Sequence, residues 1–247
     1  MKNFIRQIPN LLTLGNLLCG TAGVIAIFRS DIFFAAGFIW IGSFFDFLDG
    51  FTARLFKAYS DMGKELDSLA DMVTFGALPA LIIFEFMSGI LPDGSILPYV
   101  SFLTVAFSAL RLAKFNIDEG QKDMFTGLPT PANAFLLSGL PFLSQVPVMN
   151  FVATPGFLVV SVVISSLLMV TPARFISLKF SGIKDPANIY RYSIIIISML
   201  FIVLMKARGI SLAVISYMVI SLVSDLAGGR NELTLEQKGK LNQAKDQ

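Results

Sequence analysis

Residues 44–76 read FFDFLDGFTARLFKAYSDMGKELDSLADMVTFG. Asp46, Asp49, Asp67 and Asp71 stand among Phe, Leu, Met and Val residues that otherwise belong to membrane-embedded helices. A carboxylate at the centre of a membrane helix costs ~2.5–3.5 kcal/mol on insertion scales, so acids at that depth mark function by default. On a helix, Asp49, Gly50 and Ala53 follow Asp46 at three, four and seven residues and share its stripe. Asp67 and Asp71, four apart, share a face of the following helix. The polar connection, Lys57 to Leu66, is short. This spacing predicts two antiparallel neighbours with their aspartates at similar depth.

The rest of the chain agrees with a membrane setting. Of its 247 residues, 55% are hydrophobic and only 15% charged, against about 25% charged in a soluble domain. Mean hydropathy is +0.73, which places the chain among polytopic membrane proteins. The formal net charge of +2 argues against nucleic acid as a partner. Histidine is absent, which excludes His-based triads and His-ligated zinc. Acid–base chemistry is left to carboxylates, Lys or Tyr. The single cysteine, Cys19, forbids an intrachain disulfide and reads as a small apolar filler. A lipoprotein-type reading of Cys19 fails, because Leu18 is large where processing wants small residues. Trp40, the Tyr residues near helix ends and most of the 24 Phe residues read as interface anchors, packing and lipid-facing groups.

The apolar pattern predicts an all-α, polytopic membrane bundle of about eight spans. They cover residues 10–28, 32–56, 66–88, 95–115, 131–148, 153–171, 190–206 and 209–226. The membrane domain runs over residues 1–229, and a polar tail follows over 230–247. With both termini in the cytoplasm, every Lys and Arg of the 19 except Arg29, Lys206 and Arg208 falls on the cytoplasmic side. The aspartates then lie near the cytoplasmic face of the cell membrane.

Four converging carboxylates repel one another unless cations neutralise them. Ligation by oxygen alone selects Mg²⁺, Mn²⁺ or Ca²⁺, and a two-metal site suits chemistry at a diphosphate. Small side chains at Gly50 and Ala53 leave room for a phosphate, which Arg54 can help neutralise. Three other readings compete: a solvated helix face, a structural ion-pair network with Arg54 and Lys64, and a divalent-cation transporter. The first conflicts with the flanking apolar pairs. The last wants acidic residues along several spans, and beyond the first four spans Asp225 is the main case.

The order Asp46, Asp49, Gly50, Ala53, Arg54, Gly63, Asp67, Asp71 resembles the signature of the CDP-alcohol phosphotransferase family at every position. That resemblance implies transfer of a phosphatidyl or similar group from a CDP-linked donor to an alcohol, with release of CMP. By position, it implies that Asp46, Asp49 and Asp67 hold the metals, two ions of Mg²⁺ or Mn²⁺, with Asp71 contributing to the second. Asp71 is also implied as the general base. Asn10, Thr13, Asp49, Gly50, Ala53, Arg54 and Gly63 are implied to contact the nucleotide and diphosphate. A homodimer is likewise what the resemblance suggests.

Three further runs are similar to the serine-using branch of that family. They are Ile8–Gly20, with Asn10, Thr13 and Asn16 at three-residue spacing; Arg111-Leu-Ala-Lys114-Phe-Asn116; and Phe125-Thr-Gly127-Leu-Pro-Thr-Pro131. This implies CDP-diacylglycerol as donor and L-serine as acceptor. Arg111 and Lys114 are then expected to form a basic pocket for the acceptor carboxylate. The bland readings are interhelical hydrogen bonding for the first run and positive-inside snorkelling for the second. Glycerol 3-phosphate, inositol or an archaeal-type lipid donor stay open. The polar loop 116–131, with Gly127 followed by Pro129 and Pro131, reads as a passive rigid turn into the next helix or, from its position next to Arg111, as a lid over the acceptor site.

Overall fold

The computed structural model describes residues 7–117, 124–176 and 188–226. Helix α1 spans Ile8–Ile27 and opens on Pro9, whose fixed φ suits a first turn. Helix α2 spans Ile32–Phe56. Its N-cap is Asp31, whose carboxylate accepts from the Phe34 amide. It stops at Lys57, which turns left-handed at φ 52°. Ser60 then caps helix α3, Asp61–Asp71, by accepting from the Gly63 amide, and Asp61 complements the positive helix end.

This start lies five residues before the expected Leu66. The polarity of Asp61–Glu65 predicts a connection, but its cap and its exposed charges make it a solvated first turn. Only residues 57–60 join α2 to α3. Helix α3 runs on through a π turn, Met72–Ala77, into α4, Leu78–Ser88.

A 3₁₀ turn, Leu97–Phe102, leads into α5, Leu103–Ile117. Helix α6 covers Thr130–Leu143. Helix α7, Pro155–Val170, follows a 3₁₀ segment, Pro147–Ala153, at a 71° bend. Helix α8 is Asn188–Met205, and α9 comprises residues 210–226. Ser198 Oγ donates to Ala213 O, so α9 doubles back along α8. Among the described residues, the one strand pairing in an otherwise helical chain is a short antiparallel ribbon, β1 (Met124–Thr126) with β2 (Arg174–Ile176), in the register Phe125↔Phe175.

Among the described residues, five helices are long and apolar enough to cross a membrane, or six if the bent pair at Pro155 is one span. The outer surface is correspondingly apolar: Phe28, Leu18 and Ile196 are mostly exposed. Inside, small residues let backbones approach closely, as membrane helices require. A Cβ on Gly20 would sit 2.4 Å from Thr74 Oγ1, and one on Gly42 would sit 2.7 Å from Thr74 Cγ2. Helices α1 and α2 thus close on the π turn. Ala35, Ala36, Ile39, Phe75, Leu78, Ile82 and Ala134 form the core beneath it.

Candidate metal centre and nucleotide cavity

The short α2–α3 turn brings three carboxylates together. Oxygens of Asp46, Asp49 and Asp67 all lie within 4.8 Å of one another. Asp49 is buried and the other two are half-buried. Thr13 Oγ1 lies 2.7 Å from Asp49 Oδ2 and 3.0 Å from Pro9 O. Its single proton favours the carboxylate, where the bond is charge-assisted. Asp67 Oδ1 is buried and has no hydrogen-bond partner among the described residues. An orphaned carboxylate oxygen beside two further carboxylates fits hard divalent cations, which take oxygen ligands.

Asp71 stands apart from this trio. Four residues along α3 carry it ~6 Å past Asp67, and it is not one of the three whose oxygens lie within 4.8 Å of one another. Asp71 is buried, and its Oδ1 accepts from Asn16 Nδ2 at 3.0 Å. It still acts electrostatically on Asp46, Asp67 and Asp49. The π turn begins at the next residue, and such turns recur at functional sites. Thr74, within that turn, donates to Asn16 O at 3.0 Å. The polar stripe on α1 therefore holds the aspartates in place: Thr13 secures Asp49, and Asn16 secures Asp71.

A cavity of about 210 Å³ opens beside the trio. Asn10, Thr13, Asp49, Gly50, Ala53, Gly63 and Asp67 all line it. A Cβ on Gly63 would lie 3.0 Å from Ser60 Oγ and 3.1 Å from Asn10 Oδ1, so the wall between α1 and α3 is tight there. A Cβ on Gly50 would meet only the Arg54 guanidinium, at 3.6 Å. Packing within the chain therefore does not explain Gly50, whereas a bulky group approaching the backbone does. Arg54 is exposed on the flank of the cavity.

Sequence reasoning missed Tyr59, Ser60 and Lys64 as lining residues. They belong to the segment taken for loop, and their only signal was adjacency to Gly63. Lys64 Nζ also donates to Asn116 O, and Asn116 Nδ2 donates to Ser68 Oγ at 2.9 Å. These bonds tie α3 to the end of α5.

The expected basic pair divides. Arg111 is buried, its Nη1 donates to Thr130 Oγ1 at 3.3 Å, and its guanidinium lies 5.9 Å from the Phe115 ring centroid. Asp71 acts on it electrostatically. Lys114 is exposed. Three residues leave the two side chains about 60° apart on one helix flank, Arg111 on its buried edge and Lys114 on its exposed edge. Of the loop 116–131, the residues 116–117 and 124–131 are described. Gly127 has φ +80°, and a Cβ there would lie 2.2 Å from Met169 O. Its amide donates to Ala173 O, and the Leu128 amide donates to Leu168 O. Leu128 and Thr130 are fully buried. Residues 127–130 are thus pinned against α7, and residues 118–123 lie outside the described residues.

A family description, CDP-alcohol phosphatidyltransferase, matches residues 6–165. The chain is 36% identical over 171 residues to a Bacillus subtilis protein named CDP-diacylglycerol–serine O-phosphatidyltransferase, covering 69% of this chain and 90% of that protein. A Helicobacter pylori protein of the same name is 30% identical over 204 residues, covering 82% of this chain and 84% of its own length. A third, from Mycobacterium leprae, is 29% identical over 205 residues, covering 80% of this chain and 66% of its own. The chain belongs to the CDP-alcohol phosphatidyltransferase family, whose members are phosphotransferases, and its apolar helices make it a multi-pass membrane protein.

Proposed function

We propose that this membrane enzyme transfers a phosphatidyl group from CDP-diacylglycerol to the hydroxyl of L-serine, releasing CMP. The observation that carries the reading is the meeting of Asp46, Asp49 and Asp67 beside a cavity lined by Asn10, Thr13, Gly50, Ala53 and Gly63. The serine-named relatives support the choice of acceptor. Asp46, Asp49 and Asp67 would hold Mg²⁺ or Mn²⁺, in two ions if Asp71 lends an oxygen, and the metal supplies charge neutralisation to the diphosphate and to the departing CMP.

The chain's own groups do the rest. Thr13 orients Asp49, and Asn10, Gly50, Ala53 and Gly63 shape the nucleotide wall, with Arg54 beside the phosphates. Asp71, held by Asn16, takes the proton from the serine hydroxyl. The hydroxyl oxygen forms a bond to the phosphorus bearing diacylglycerol, and the bond from that phosphorus to the bridging oxygen of CMP breaks. A base is chosen first by position, and Asp71 sits one turn from the metal-holding Asp67. Arg111 binds the serine carboxylate, and exposed Lys114 draws the acceptor to the site.

We also read the chain as crossing the cell membrane eight times, with both termini and the aspartates on the cytoplasmic side, and as a homodimer. The doubling back of α9 along α8 supports counting residues 188–226 as two spans.

The test is purified protein in detergent–lipid micelles with CDP-diacylglycerol and a panel of L-serine, glycerol 3-phosphate and inositol. CMP release is scored with Mg²⁺, with Mn²⁺ and with chelator. Release with L-serine that stops on chelation is expected. Release that is indifferent to chelator, or that requires another alcohol, overturns the reading.

A further inference from the structure

Five buried polar atoms of Asn16, Arg111, Asn133 and Ser138 lack a hydrogen-bond partner among the described residues: Asn16 Oδ1, Arg111 Nε, both Asn133 Nδ2 and Asn133 Oδ1, and, further along α6, Ser138 Oγ. Buried polar groups are almost always paired, so each such atom calls for an occupant. Asn133 stands out, because it is fully buried and its whole amide is orphaned. It follows Thr130 by three residues on α6, so the two share a flank of the helix. Thr130 takes the Arg111 guanidinium. Arg111 lies one turn from Ser108, whose Cβ would be 3.2 Å from a Cβ on Gly76 in the π turn. The same π turn follows Asp71 directly. Helices α5 and α6 thus meet where Arg111 reaches Thr130, three residues from Asn133, and Asp71 acts electrostatically on that Arg111.

We propose that Asn133 reads the acceptor: with Arg111 it forms a buried polar site that takes a small zwitterionic amino acid. This rests on the amino-acid acceptor reading above. An amide both donates and accepts, and a zwitterion offers the complementary pair. The carboxylate accepts from Arg111 Nε and Asn133 Nδ2. The ammonium donates to Asn133 Oδ1. The side-chain hydroxyl is left for Asp71. Three attachments to one carbon centre also make the site chiral. A phosphorylated acceptor carries no ammonium and leaves Asn133 Oδ1 unpaired, which a site built around that group penalises.

The test compares the unsubstituted protein with Asn133→Ala and Asn133→Ser. CMP release is measured with L-serine, with D-serine and with 3-hydroxypropionate, which keeps the carboxylate and hydroxyl but lacks the amine. The expected result for Asn133→Ala is a KM for L-serine raised about tenfold or more, with KM for CDP-diacylglycerol changed less than about twofold. Its preference for L-serine over 3-hydroxypropionate should shrink by a similar factor. L-serine should raise the Tm of the unsubstituted protein and not that of either variant. If Asn133→Ala does not fold, Asn133→Ser is read by the same ratios.

An unchanged KM for L-serine, whatever happens to kcat or Tm, would mean that water alone fills the site and would overturn the assignment. Equal changes in both KM values would do the same. If the unsubstituted protein releases no CMP with L-serine, the acceptor reading falls first and takes this assignment with it.

Discussion

The Asp61–Ser88 helix and the 188–226 segment are both apolar enough to cross a membrane, with hydropathies of 1.7 and 2.0. Yet 56% of an 18-residue apolar stretch of the first is buried inside the protein and only 11% of such a stretch of the second. The first carries Asp67, Asp71, the π turn and the contacts with Gly20 and Gly42. The second exposes Ile196, Met199, Val203 and Leu204. Hydropathy measures what a helix tolerates around it, whereas burial reflects what it is packed against. The polar groups sit on the helix that the other helices enclose, because only there can a carboxylate find partners other than lipid.

The sharpest test of this contrast is Asp67→Ala. It removes a carboxylate from the trio, and CMP release should fall to the level measured with chelator. Residual activity near that of the unsubstituted protein would break the link between the enclosed helix and the chemistry. Next is Gly20→Val, which drives methyl groups into Thr74. Overpacking of this kind costs about 1–3 kcal/mol, read as a lower Tm in detergent, and an unchanged Tm would mean that α1 is free to move off the π turn. Thr13→Val leaves the three carboxylates intact but frees Asp49. Loss of such a supporting hydrogen bond should weaken apparent metal affinity about 10–100-fold, measured by titrating Mn²⁺ against CMP release at saturating donor. The smallest effect belongs to the outer segment. Ile196→Ala removes a mostly exposed side chain and should change stability by less than about 0.5 kcal/mol with normal turnover. A large loss there would show that α8 is enclosed in the working protein.

Much of this contrast was legible before any coordinates. The aspartates, Gly50, Ala53 and Gly63 sit at helical spacings, and such spacings survive folding unchanged. The cavity accordingly takes in six of the seven residues expected at the nucleotide, with Arg54 on its flank. Boundaries were less legible. The polar run Asp61–Glu65 was read as connection because hydropathy falls there, but a capped helix can be polar in its first turn. The short α6, Thr130–Leu143, is obscured by Pro141 and Pro147. Arg111 and Lys114 were paired by proximity in sequence, although burial separates them.

The sequence alone determined that this chain lives in a membrane, that its acids fall on two facing helix stripes, and that small residues stand beside them. These are local matters of composition and period. The tertiary structure decided which aspartates meet. It also decided that Thr13 and Asn16 steady them, that Gly127 is wedged against α7, and that Asn133 is sealed inside with its amide unpaired. The reason is geometric: a helix repeat says which residues share a face, but only the neighbouring helices determine what that face meets.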